Sequence, residues 1–342
     1  MTTNTEKAKR LNEIDFMRPV VIVLLVIMHS FSIYSGGGSW EYPEGIEAVG
    51  CYKWVQVISY GCMLEAFTFI SGYLFGMQLK RKPVSFNKLL KSKSARLLIP
   101  SIIFSFLYIV LFNRGSISFG VRGVAQTLYL IVCGYGHLWY LPMLFWCFVI
   151  TWCISKINMN EMIKLGMLYF ISLFAIFPIP FQINTAFHYL PFFYLGVYLY
   201  NHPLEKVGFG KAIFYIFFFI VLLISVSTYR SIHSNLLSWQ KVLFWYLKQL
   251  YATMGTIGLF VICKNISNHK ESSPRLLQFN ACCFGIYIIH QFVLVWLYYH
   301  SPLPAWCGTI MLPWCGFLAA FFGSLGLTWF VRRYKWGRFL FG

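Results

Sequence analysis

The stretch "FMRPVVIVLLVIMHSF", residues 16 to 31, sets Arg18 and His29 at either end of ten residues, nine of them apolar. A run of this kind is the body of a membrane-spanning helix. Comparable runs recur to the end of the chain: 58% of its 342 residues are hydrophobic, 20% aromatic and only 11% charged. So few charges cannot cover a soluble core of this size, and the composition is that of a polytopic membrane protein. The formal net charge of +18 would suit a nucleic-acid partner if the 28 Lys and Arg formed one face. They lie between apolar segments instead, so membrane topology accounts for them and nucleic acid is excluded. Ten cysteines, mostly inside apolar stretches, form no paired CxxC units, disulfide framework or zinc spacing. No metal site is expected.

At about 17 to 25 residues per crossing, the sequence predicts spans near 14–34, 54–79, 96–113, 137–155, 163–178, 187–201, 211–229, 243–264, 277–299 and 307–331. The segment "FGVRGVAQTLYLIVCG", residues 119 to 134, is short for a crossing and reads as a half-helix or re-entrant piece. Ten spans with a cytoplasmic N-terminus put 22 of the 28 Lys and Arg on the cytoplasmic side, as the positive-inside rule requires. The expected fold is therefore an all-α, polytopic transmembrane helix bundle with both termini cytoplasmic. It forms one domain over 1–342, with a retained first span and no appended soluble domain. Function must then lie within the bundle.

Eleven helical positions separate Arg18 from His29, which returns them to one face within about 20° and separates them by roughly 16 Å along the axis. Asp15 precedes Arg18 by three residues, where it can pair with it or cap the helix, and Pro19 is expected in the first turn. Ionisable groups at membrane depth cost about 2.5 to 3.5 kcal/mol each on insertion scales, so they mark function when they face the bundle interior. An imidazole suits proton transfer near neutral pH, which makes His29 the candidate base and Arg18 its electrostatic partner. In "GCMLEAFTFISGYLFG", residues 61 to 76, Glu65 is a third candidate, able to orient His29, pair with an arginine, or remain neutral and hydrogen-bonded. Ser71 and Gly72 suit close helix approach.

The basic loop "KRKPVSFNKLLKSKSARLLIP", residues 80 to 100, suits contact with anionic lipid. Lys93 and Arg96, one turn apart at the start of a span, could also reach a phosphate-bearing ligand. In "GHLWYLPMLF", residues 136 to 145, Trp139 and Tyr140 fit an aromatic belt, whereas His137 suits contact with an acceptor. In "FGIYIIHQFVL", residues 284 to 294, Tyr287 and His290 stand one turn apart and either pack between helices or join that contact.

Taken in order, these segments resemble the membrane-bound acyltransferase 3 family over nearly the whole chain. Arg18 with His29 matches its basic residue and histidine eleven apart, and "FTFISG" at 67 to 72 echoes its "FFxxSG" element. Lys93 and Arg96 match its basic pair, "HLWYLP" at 137 to 142 its "HLWFL" element, and Tyr287 to His290 its "YxxH" element. The first basic position is usually arginine, and lysine there weakens a bidentate phosphate grip. The resemblance implies transfer of an acyl group, usually acetyl, from cytoplasmic acyl-CoA to a hydroxyl of a cell-envelope carbohydrate or lipid-linked glycan. It implies His29 with Arg18 in catalysis and Arg18, Lys93 and Arg96 on acetyl-CoA, while Glu65 joins the catalytic candidates from its place in the second span alone. His137, Trp139, Tyr287 and His290 would then contact the acceptor, in a multi-pass protein of a bacterial cytoplasmic membrane in contact with its lipids. The competing class is a transporter or flippase that uses His29, Glu65 and Arg18 as a relay. The absence of matching Gly/Pro-broken spans in two halves counts against it.

Overall fold

The computed structural model describes residues 11–35, 40–81, 84–113, 115, 120–204, 208–233 and 235–341. Six residues of the charge tally, Lys7, Lys9, Arg10, Lys82, Arg114 and Lys206, lie outside them. Among the described residues the chain is helical and contains no strand. The helices run α1 Asn12–Ser30, α2 Gly50–Tyr60, α3 Met63–Arg81, α4 Phe86–Lys93, α5 Ile99–Phe112, α6 Val121–Cys133 and α7 Tyr140–Ser155. They continue as α8 Glu161–Ile171, α9 Ile183–Asn201, α10 Phe209–Ile232, α11 Ser238–His269, α12 Pro274–Tyr299, α13 Leu303–Val331 and α14 Lys335–Phe341.

Seven helical stretches among the described residues are long and apolar enough to cross a membrane: 50–81, 86–112, 136–155, 209–232, 238–269, 274–299 and 303–331. Each contains or overlaps an expected span. The other three expected spans are helical but differ in kind. α1 carries Glu13, Asp15 and Arg18; α8 has only 11 residues and continues as a 3-10 turn; α9 is buried along most of its length. α1 and α9 are enclosed by other helices, and α8 is short and mostly exposed, so length and hydropathy together do not mark them. Of the 119–134 segment, Phe119 lies outside the described residues, and Val121–Cys133 forms α6, a 13-residue apolar helix whose outer face is exposed.

α1 is the axis of the bundle, packed against α2, α3, α11, α12 and α13. Ile14, Met17, Val21, Ile22, Leu25 and Val26 are all at most 1% exposed. α3 and α9 cross at the closest approach, because a Cβ on Gly72 would meet the backbone carbonyl of Phe193 and one on Gly196 that of Phe69. Two glycines facing each other let the backbones touch, as small residues do throughout membrane bundles.

Proline placement corrects one expectation. α1 begins at Asn12, so Pro19 lies inside the helix, not in its first turn. Proline has no N–H to donate to the carbonyl four residues back, here that of Asp15. Asn280 of α12 supplies the missing donor, its Nδ2 lying 2.9 Å from the Asp15 oxygen. Thr309, four before Pro313, accepts the Tyr34 hydroxyl at 2.6 Å, and Leu138, four before Pro142, accepts Ser101 Oγ at 3.4 Å. At Pro19 and Pro313, both inside helices, the missing bond is thus replaced from another segment, which ties α1 to α12 and the turn after α1 to α13. Pro142 lies in the first turn of α7, where no intrahelical bond is lost, and the Ser101 contact ties α5 to the 3-10 turn Gly136–Trp139.

Candidate active site

Three of the predicted residues meet in the middle of the bundle. The ring centroids of His29, His137 and His290 form a triangle with sides of 6.2, 5.1 and 4.8 Å, each pair edge to face. His290 is fully buried and His137 is 6% exposed.

The hydrogen bonds fix the protons on these rings. Nδ1 of His290 lies 2.9 Å from the carbonyl of Ile286, which only accepts, so Nδ1 carries the hydrogen and Nε2 a lone pair. That Nε2 is 3.1 Å from Nδ1 of His29, which is also 3.1 Å from the Leu25 carbonyl. Both neighbours are acceptors, so Nδ1 of His29 carries a hydrogen and its Nε2 is left with the lone pair. His137 donates Nε2–H to the Ile288 carbonyl at 3.0 Å, leaving Nδ1 buried and without a hydrogen-bond partner. Its backbone is clamped on both sides: the N–H donates to Gln291 Oε1 at 3.2 Å, and the carbonyl accepts the Tyr287 hydroxyl at 2.6 Å. Positive φ at Gly134 and Gly136 bends the chain tightly enough to enter this clamp. Two imidazole lone pairs, on His29 Nε2 and His137 Nδ1, are therefore not used within the cluster.

Beside this cluster, toward the N-terminal ends of α1 and α12, lies a cavity of about 360 Å³. Arg18, Lys93 and Arg96 all line it, while Tyr140 and Tyr287 form its inner end. Lys93 ends α4 and Arg96 sits in a single wide π turn, Ser94–Leu98, before α5. Such π turns recur at functional sites because they re-aim side chains out of helical register. Nζ of Lys93 rests 3.7 Å above the Phe148 ring, a cation–π contact that holds the ammonium at the cavity wall. Phe67, Ile70 and Ser71 of the "FTFISG" segment line the same space. Thr68, on the other side of that turn, is 3.0 Å from the Tyr140 hydroxyl. Three cations around the cavity suit an anionic ligand better than a neutral one.

The family comparison fits this arrangement. The family model described as an acyltransferase domain, that of the acyltransferase 3 family, matches residues 11–333. The chain belongs to the acyltransferase 3 family. This acyltransferase has no match among curated proteins and none among solved structures.

Two predicted residues of the acyltransferase lie elsewhere. Glu65, for which the sequence leaves open orienting His29, meeting an arginine or staying neutral and hydrogen-bonded, faces His188 of α9, with Oε1 3.7 Å from Nε2. Gln249 of α11 donates to both the carbonyl and Nδ1 of that histidine, at 3.2 and 3.0 Å, which turns Nε2–H toward the carboxylate. Trp139 packs on Tyr140 and Tyr189, with centroids 6.1 and 6.0 Å away.

Gln291 and Asn280 were not singled out from the sequence. Both lie on the face of α12 that carries Tyr287 and His290, and the spacing 280, 287, 290, 291 is the polar signal in an otherwise apolar helix. Among the described residues no cluster of His, Cys, Asp or Glu has the geometry of a metal site.

Proposed function

We propose that this membrane acyltransferase moves an acyl group, in the simplest case acetyl, from acyl-CoA to a hydroxyl of a cell-envelope glycan or lipid-linked carbohydrate. The observation that carries the reading is the tautomer chain from Ile286 through His290 to His29, which leaves His29 Nε2 unprotonated beside a tri-cationic cavity. Arg18, Lys93 and Arg96 hold the donor's phosphates. His29 Nε2 takes the proton of the acceptor hydroxyl as its oxygen attacks the thioester carbonyl. The C–S bond breaks, and the same proton passes to the departing thiolate, so the enzyme ends as it began. His290 keeps the Nδ1 hydrogen of His29 in place, and His137 presents its free Nδ1 to the reacting hydroxyl or the returning proton.

The topology we propose has ten spans, the seven apolar stretches together with α1, α8 and its 3-10 extension, and α9. Both termini face the cytoplasm, and the protein is a multi-pass component of a bacterial cytoplasmic membrane. The cationic cavity then opens toward cytoplasmic acyl-CoA, because Lys93 and Arg96 belong to the basic loop on that side.

The test is release of free CoA from labelled acetyl-CoA by membranes carrying the wild type, His29→Ala or Arg18→Ala, read beside the acyl content of the surface glycan. Loss of both signals in His29→Ala at unchanged protein level supports the reading. Wild-type membranes that neither consume thioester nor change the glycan overturn it.

A further inference from the structure

A second cavity, of about 530 Å³, lies at the opposite end of α12 from the cationic one. The 41–45 loop and the turn between α12 and α13 frame it. Glu41 and Glu44 line it with Tyr42, Tyr298 and Tyr299, and no Lys, Arg or His is among the described residues of its wall. The loop is fastened in place: the Tyr299 hydroxyl donates to the Glu41 carbonyl at 2.7 Å, and Trp40 packs against the rings of Tyr298 and Tyr299.

Tyr298, a residue of this cavity's wall, connects it to the segment that carries the candidate base. Tyr298 is 1% exposed, and its hydroxyl donates to the carbonyl of Ser30 at 2.8 Å. Ser30 directly follows His29, so one residue separates Tyr298 from the candidate base. From Asn280 at the cationic cavity to Tyr298 the helix rises about 27 Å, with His290 between them. The three histidines therefore stand between two cavities of opposite charge.

We infer that the second cavity is the acceptor's subsite and that it takes an uncharged, hydroxyl-rich saccharide while rejecting one that carries carboxylates or phosphates. The inference rests on the acyl-transfer reading and names the substrate class for it. Carboxylates accept charge-assisted hydrogen bonds from sugar hydroxyls, and tyrosine ring faces, negative at their centres, suit the C–H face of a pyranose. A concave wall holding two negative charges and no positive one focuses a field that repels anions, so the discrimination comes from repulsion as well as attraction.

The experiment uses purified full-length protein carrying Ala305→Cys, an exposed position on the cavity wall, with Ser301→Cys as a second reporter. Maleimide labelling at the introduced residue is followed by peptide mass analysis, with no sugar, with maltotetraose or chitotetraose, or with a galacturonate tetramer at equal concentration. A neutral tetramer should slow labelling several-fold and the galacturonate should not. In a Glu41→Gln/Glu44→Gln background the difference between the two should disappear. No protection by either neutral sugar, or equal protection by the galacturonate, overturns the inference. Labelling requires no acyl transfer, so this outcome is separate from failure of the thioester assay.

Discussion

Nε2 of His290 stands 3.1 Å from Nδ1 of His29, and a backbone carbonyl fixes His290 as the acceptor in that pair. The second histidine thus sets which nitrogen of the first is basic. Replacing His29 with Ala should lower kcat by about 10²- to 10⁴-fold, the usual worth of a general base. His290→Phe keeps an aromatic ring, though a larger one, but removes the acceptor and lets the His29 hydrogen move between nitrogens, so it should cost less, roughly tenfold or more. Acyl-CoA KM should stay unchanged in both, and steady-state kinetics with labelled acetyl-CoA decide it. A raised KM at constant kcat in His290→Phe would assign that residue to binding instead.

The cationic cavity makes a different demand. On the proposed reading, Arg18→Ala and Arg96→Ala each remove a donor to phosphate, worth about 1.5 to 3 kcal/mol for a charged hydrogen bond, or roughly 10- to 100-fold in donor affinity. Phe148→Leu removes the ring beneath Lys93, and its effect should be smaller, about 0.5 to 2 kcal/mol. Equilibrium binding of acetyl-CoA to the purified protein at two salt concentrations is the measurement. The arginine effects should shrink in high salt, because exposed charge pairs are screened.

The candidate residues that share a helix face were legible because their spacing is local. Arg18 and His29 share a face by the helical repeat, and Tyr287 and His290 do so within one turn. The geometry brings His29, His137 and His290 into one triangle, which no single segment states. What the sequence hid was partnership between distant helices. Glu65 stood out as an intramembrane carboxylate, but His188, its partner, sits in the apolar run "AFHYLPFFYLG" with nothing nearby to mark it. Pro19 was readable as a broken helical bond only once the helix start was known, and Asn280 as its repair only in three dimensions. The span count was blurred for a related reason, since α1 and α9 are enclosed by other helices and need not be uniformly apolar.

Asn280 and Pro19 should therefore be energetically coupled. Asn280→Leu leaves the Asp15 carbonyl without its donor from α12, a loss of about 1 to 3 kcal/mol for a buried unsatisfied group. Pro19→Ala restores an N–H to that carbonyl from within α1. Thermal unfolding in detergent should show the double variant closer to wild type than Asn280→Leu alone. Additive losses, with no rescue, would mean that Asn280 acts through its place on the cavity wall and not through the carbonyl.

The α3–α9 crossing should tolerate no side chain at its contact point. A Cβ at Gly72 falls into the Phe193 carbonyl, and one at Gly196 falls into that of Phe69. Backbone cannot move aside as a flexible side chain can, so either helix must shift, at about 1 to 3 kcal/mol or more for overpacking. The consequence reaches the site, because Phe67, Ile70 and Ser71 of the same α3 segment line the cationic cavity. Gly72→Ala should lower the unfolding temperature and weaken acetyl-CoA binding together. Gly166→Ala on α8, where an added Cβ meets open space, should leave both unchanged. A Gly72→Ala protein that is less stable yet binds acetyl-CoA as well as wild type would show that the crossing supports the fold without shaping the cavity.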